Sequence, residues 1–293
     1  MHPRPIPGSL RAVVPELRRR VSAIEGDPAQ PETQSRLTAA LGEVPEWRRF
    51  TAGLRPLGLR PLWLGAGLDV ARDDAAARRL LAGLAISVFP GGIVPPYEVG
   101  GAAVTEVTPR GGSVASHSQN DLPAPPHTAG FFEPVPPMAV LFACVRPHPG
   151  AGAETTVVDV EQLLGAAQPE RVRAWEERRH WYRTPVRLGA SLRPLRLLRH
   201  VRGLPFLRYR RDYTLAEADG AGSLGEIDRL VADPSITLVF PLARDEILVH
   251  WNGAPHGRRR QLGPTPTAPG HRRLLLRCRV QPAAGWAESF LDG

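Results

Sequence analysis

The chain has 293 residues, of which 42% are hydrophobic and 23% charged, the balance of a folded globular protein and not of a disordered one. No apolar run reaches the roughly 18 residues needed to cross a bilayer, and the first twenty residues lack the apolar segment of a secretory signal, so the expected location is cytoplasmic with no membrane partner. The net charge of +8 comes from arginine alone, since there is no lysine, and a nucleic-acid polymer is disfavoured as partner because no binding motif accompanies that charge.

Residues 1–50 read as short helices punctuated by proline: one over 15–24, a polar link over 26–35, and a second helix over 36–44. They are expected to form an N-terminal helical appendage ahead of a larger domain over 51–293. Asp73 and Asp74 then cap a helix over 75–87, in which apolar positions recur at three and four residues. From Gly101 the pattern changes to short β-like runs, at 102–109, 138–145, 154–160, 205–210, 235–242, 245–251 and 272–280. Helical segments at 169–181 and 223–232 interrupt them. This order predicts an α+β fold, an antiparallel barrel or double-sheet jelly roll with helices outside it. A Rossmann sheet is disfavoured because no glycine fingerprint follows a first strand.

Cys144 and Cys278 lie in apolar runs without metal-ligand spacing, and are expected to be buried free thiols. An Arg-rich insert at about 161–215 stands out. Between Arg183 and Arg211 there are nine arginines and no acidic residue. Guanidinium forks suit an anionic small molecule or an acidic carrier protein, and a solvated basic face is the plainer alternative. Trp181, Tyr182, Phe206, Tyr209 and Tyr213 interleave with the arginines and could stack on a ring or pack in the core.

Two segments carry the chemistry. From His127 to Val160 a histidine precedes a loop, Pro136-Pro137, an apolar run, a Gly-rich turn and then Glu154-Thr155-Thr156. Further on come Asn252, His256-Gly257-Arg258, and a strand bearing Arg273 and Arg277, which in an extended chain point to one face and can line one cavity. Over about residues 55 to 285 this joint pattern resembles the taurine dioxygenase and clavaminate synthase family of Fe(II)/2-oxoglutarate oxygenases. The resemblance implies a double-stranded β-helix (jelly-roll, cupin-like) core with flanking helices, and Fe(II), 2-oxoglutarate and O2 as cofactors. It implies His127 and His256 as iron ligands, Arg273 with Thr155 on the distal carboxylate of 2-oxoglutarate, and Arg277 near its metal-bound end. His117 offers a rival frame, but a polar loop follows Pro126 where a strand is needed, so His117 reads as a loop or pocket residue. Arg258, Arg259 and Arg260 read as solvated.

One position departs from the family pattern. Such sites hold iron with two imidazoles and one carboxylate, and the carboxylate would fall at Ala129. Three readings follow. A halide can occupy the vacated position, as in the halogenases that this His-x-Ala variant resembles. Alternatively Asp121 or Glu133 can supply the missing oxygen, giving a hydroxylase or desaturase. Or the chain has lost iron chemistry and only binds. The first is favoured: a halogenase with His127, Ala129 and His256 at its centre, chlorinating a small anionic or carrier-bound substrate in specialised metabolism.

Overall fold

The computed structural model describes residues 2–54, 60–89, 91–93, 102–108, 124–148, 153–184, 191–215, 221–258 and 272–291. Helix α1 (Gly8–Ser22) begins seven residues ahead of its expected start, with Pro15 inside it, because Leu10, Val14, Leu17 and Val21 form one buried stripe running through the proline. Helices α2 (Pro31–Gly42) and α3 (Pro45–Ala52) each open on proline, where the missing N–H costs no helical bond. The polar link is therefore shorter than expected. After β1 (Leu62–Leu64), α4 (Ala75–Val88) starts at Asp74, whose carboxylate accepts the Ala77 amide at 2.8 Å, as the sequence anticipates. The four helices pack on one another, and a Cβ at Gly83 of α4 would collide with the Leu41 side chain of α2.

Strands β2 (Gly91–Ile93), β3 (Val104–Val107), β4 (Ala124–His127), β5 (Ala139–Arg146) and β6 (Thr155–Val158) follow, then α5 (Val160–Ala166) and α6 (Pro169–Glu177). Next come β7 (Arg179–Arg183), β8 (Leu192–Arg196), β9 (Leu198–Val201), β10 (Leu204–Leu207) and β11 (Thr214–Leu215). The chain continues through α7 (Ala221–Ala232), β12 (Thr237–Phe240), β13 (Ile247–Trp251), β14 (His256–Arg258), β15 (Leu274–Pro282) and α8 (Ala284–Leu291). The helix expected over 169–181 thus ends at Glu177. Its last residues switch to strand because His180 and Tyr182 are buried in alternation with exposed Arg179, Trp181 and Arg183. Pro194 is tolerated in β8 because β8 lies at the edge of the sheet β11-β7-β8.

Two antiparallel sheets build the centre. The larger runs β1-β13-β5-β15-β2, with β3 also on β15; the smaller runs β12-β6-β14-β4. The larger sheet is buried on both faces. On β15, Leu274, Leu276, Cys278 and Val280 join the helical layer in one core, whereas Leu275 joins a second core with Val140, Phe142 and Leu248. Cys144 and Cys278 are free and buried, as expected, and burial pushes both thiols up to about 12. No helix among the described residues is long and apolar enough to cross a membrane.

Candidate active site

A histidine pair lies within the smaller sheet. His127 ends β4, His256 opens β14, and the two stand directly opposite in the antiparallel register, with ring centroids 4.7 Å apart. Gly257 allows this approach, since a Cβ there would come within 2.5 Å of the Ala124 carbonyl oxygen. A carbonyl only accepts, so the 2.9 Å contact from His127 Nδ1 to the Pro125 oxygen puts the ring proton on Nδ1 and the lone pair on Nε2. His256 is buried, and its pKa lies well below the usual imidazole value. Burial is the main cause, aided by His127, His250, Arg277 and Arg279. His256 is thereby offered in the neutral form that binds metals.

The loop after His127 is fixed by its main chain. Thr128 N–H donates to the Tyr209 carbonyl at 2.8 Å, and its hydroxyl donates to the Leu207 carbonyl at 2.5 Å. Asn252, fully buried, accepts the Ala129 N–H at 2.9 Å and donates to the carbonyls of Ala129 at 2.9 Å and Pro137 at 2.7 Å. Ala129 is thus pinned from both sides, its methyl packed in the second core. Gly130 follows at φ +63°, and the Glu133 carboxylate folds back so closely that a Cβ at 130 would meet it at 2.5 Å. Burial pushes the Glu133 carboxyl up to about 7, against the pull of Arg279, Arg208 and Arg193. Among the described residues no three of His, Cys, Asp and Glu are placed to hold one metal, so Glu133 does not complete the pair. Asp121 and His117 lie outside the described residues.

Opposite the histidines stands a column of arginines. Arg273 Nη2 donates to Thr155 Oγ1 at 2.8 Å, joining the start of β15 to β6, with both residues buried as the sequence pairs them. Burial, reinforced by Arg258, lowers the Arg273 pKa to about 10, so the guanidinium stays charged in a dry setting. Arg277 pairs with Phe142 of β5, and Arg279 with Val140; both are buried on the face turned to His256. Arg279 was not among the expected site residues, although its two-residue spacing from Arg277 already places it on that face.

His250 was also missed, because it sits inside the apolar run of β13. Its ring lies 4.8 Å from that of His256 and stacks at 7° on Phe142, 6.0 Å away. Its Nδ1 donates to the Trp251 carbonyl at 3.1 Å, its Nε2 is buried without a hydrogen-bond partner, and burial lowers its pKa to about 4.

The Arg-rich insert divides. Arg208 is buried and donates to the carbonyls of Phe131 at 2.8 Å, Glu133, and Pro134 at 3.3 Å, bracing the loop beyond Ala129. Arg179, Arg183 and Arg193 are exposed on β7 and β8. Tyr182, Phe206 and Tyr209 are core residues, which leaves Trp181, 40% exposed, and the half-buried Tyr213, with Arg210 5.0 Å from its ring centre, as the aromatics open to stacking. Arg258 is half-buried on β14, and Arg259 and Arg260 lie outside the described residues.

Comparison with known proteins places this geometry. An asparagine oxygenase solved with Fe(II), 2S,3S-3-hydroxyasparagine and succinate superimposes with a TM-score of 0.81 at 22% identity, over 96% of this chain and 94% of that one. The non-heme iron oxygenase OrfP, solved with Fe and alpha-ketoglutaric acid, gives 0.73 at 20% identity, over 97% and 94%. OrfP with Fe, succinate and (3S)-hydroxy-L-Arg gives 0.73 at 18%, over 97% and 95%. No curated protein sequence matches. Residues 66–279 match the model of the taurine catabolism dioxygenase TauD, TfdA family. The chain belongs to that family, and by this membership it is an Fe(II)/2-oxoglutarate-dependent oxygenase.

Proposed function

We propose that this enzyme hydroxylates an unactivated C–H bond of a small amino-acid-like substrate, using Fe(II), 2-oxoglutarate and O2. The observation that carries the reading is the close His127/His256 pair in a chain that also bonds Arg273 to Thr155, with a fold similar to those of an asparagine oxygenase and of OrfP, which hold hydroxylated amino acids. In this reading the two facing sheets form a jelly roll over residues 51–293, to which residues 1–50 are an appendage. His127 and His256 hold the iron through Nε2. Arg273 and the Thr155 hydroxyl take the distal carboxylate of 2-oxoglutarate, in the bidentate manner that guanidinium suits. Arg277 and Arg279 face the space beside the metal, where a cosubstrate keto acid or a substrate carboxylate finds its counter-charge. The anionic substrate expected from composition is thereby narrowed to a carboxylate, and the arginines that meet it come from β15 and not from the insert. Bound iron, 2-oxoglutarate and O2 together supply the oxidising power; the protein positions and dries the site.

Hydroxylation here replaces chlorination as the preferred outcome, because the neighbouring structures hold hydroxylated amino acids and nothing comparable supports halide. One observation favours chlorination as a second reading: Ala129, pinned by Asn252, presents only a methyl where a carboxylate ligand would stand.

The test has two stages. Without oxygen, Fe(II) and 2-oxoglutarate are expected to produce the visible charge-transfer band of a bidentate 2-oxo acid on iron; no band would reduce the chain to a binding protein. In air, a panel of amino acids including asparagine and arginine, with and without chloride, is expected to give an oxygenated product indifferent to chloride. A chlorine isotope pattern that appears only with chloride would install the second reading, and Ala129→Asp is then expected to abolish it.

A further inference from the structure

We propose that His250 is the positioning residue for His256: with the metal in place, His250 Nε2 accepts the Nδ1–H of His256, directly or through one water. This rests on reading His256 as an iron ligand.

Two nitrogens motivate it. Among the described residues His250 Nε2 and His256 Nδ1 are both buried without a hydrogen-bond partner, and they belong to rings 4.8 Å apart and tilted by 62°. Buried polar atoms are ordinarily paired, so two orphans on adjacent rings call for one explanation. Their proton inventories are complementary. The Trp251 carbonyl fixes the His250 proton on Nδ1, which leaves Nε2 a pure acceptor in the neutral ring. A ring that binds metal through Nε2 keeps its proton on Nδ1, and so is a pure donor there. Metal-bound imidazoles commonly pass that proton to a carboxylate, a carbonyl or water. No such partner holds His256 Nδ1 among the described residues, and His250 is the acceptor at hand.

The position is rigid enough for the task. His250 lies on β13 between β1 and β5, is fully buried, and stacks on Phe142, whose edge also touches the His256 ring at 5.5 Å. It does not stand beside the pair as a third ligand, because no three such side chains converge on one metal point. Its ring packs on that of His256. A neutral imidazole in that place withholds the negative charge that a carboxylate would lend, so among the described residues neither the 129 position nor the partner of His256 supplies an anion. Such a shell favours anionic cosubstrate over water at the metal.

The experiment uses Co(II) as probe on the full-length protein, without oxygen. His250→Phe keeps the stack on Phe142 and removes the acceptor; His250→Gln restores an acceptor. The Phe variant is expected to bind Co(II) 10- to 100-fold more weakly, the range seen when such partners are removed, with shifted visible bands. The Gln variant is expected to recover most of both. Wild-type affinity and unchanged bands in the Phe variant would overturn the proposal, as would equal losses in both variants accompanied by a lower metal-free melting temperature. A second measurement needs no variant. In the Zn(II)-loaded wild type, histidine-selective nitrogen NMR is expected to find the Nδ1 proton of the Nε2-ligated His256 downfield and slow to exchange, and a rapidly exchanging proton would overturn it. Wild-type protein that binds neither metal would instead overturn the reading of the site itself, and this proposal with it.

Discussion

Asn252 holds together two stretches of chain that are 123 residues apart in sequence. Its carboxamide meets one N–H and two carbonyls, all buried, so Asn252→Ala leaves three groups without partners, each costing about 1–3 kcal/mol. A loss of at least about 2 kcal/mol in urea unfolding is expected, and Asn252→Asp should lose a similar amount because a carboxylate cannot donate to either carbonyl. Glu133 gives a pH-dependent counterpart. Its folded pKa is raised from the usual 4.5 to about 7, so its contribution to stability is full below pH 4.5 and is lost as pH rises through 7. Glu133→Gln should therefore melt close to wild type at pH 5 and above it at pH 8; a constant difference across that range would contradict the burial of a charged carboxylate. At this scale the sequence is legible where chemistry restricts the residue type at fixed spacing: His127 stands beside His256, and Thr155 beside Arg273. Asn252 shows in the sequence only as part of a motif, and Arg208 and His250 carry no individual sequence signal, because their roles depend on which carbonyls and rings distant segments bring near.

Among the elements, α4 was readable from Asp74 onward because its capping and its apolar period agree. The stretch after Glu177 was not, since RRHWYR satisfies a helical period until the burial of His180 and Tyr182 selects the two-residue one. Helix packing yields a further prediction. Gly83→Ala gains about 1 kcal/mol of helix propensity, yet its methyl would enter the space of Leu41, an overpacking that costs about 1–3 kcal/mol. The net effect expected in thermal unfolding is destabilisation. A higher melting temperature would mean that α2 and α4 are less closely seated than described.

For the whole molecule, local pattern predicts the inventory of strands better than their order. The six-stranded sheet interleaves β1, β13, β5, β15 and β2, with β3 also on β15, a non-local pairing that no short window of sequence encodes. What could be read was the consequence of that pairing for composition: β5 and β13 are almost wholly apolar because the sheet they share is covered on both faces. Cosubstrate binding can be tested at this scale. Arg273→Ala removes the charged partner of Thr155 and is expected to raise the 2-oxoglutarate concentration needed for half-saturation by roughly 10-fold or more, with Fe(II) binding in its absence nearly unchanged; equal weakening of both would place Arg273 in the scaffold.

The arginine column of β15 also has a consequence for the order in which the enzyme is assembled. In the proposed site Arg277 and Arg279 are buried beside His256 and the histidine pair brings no negative charge, so a divalent cation entering alone would meet repulsion. A dicarboxylate entering first cancels it. Metal and cosubstrate are then thermodynamically linked, each tightening the other by the same factor, typically 5- to 150-fold for such couplings. Succinate left behind after turnover would exert the same pull, retaining iron between cycles and competing with the next 2-oxoglutarate. Calorimetric titration of Fe(II) without oxygen, with and without succinate, reads that coupling directly.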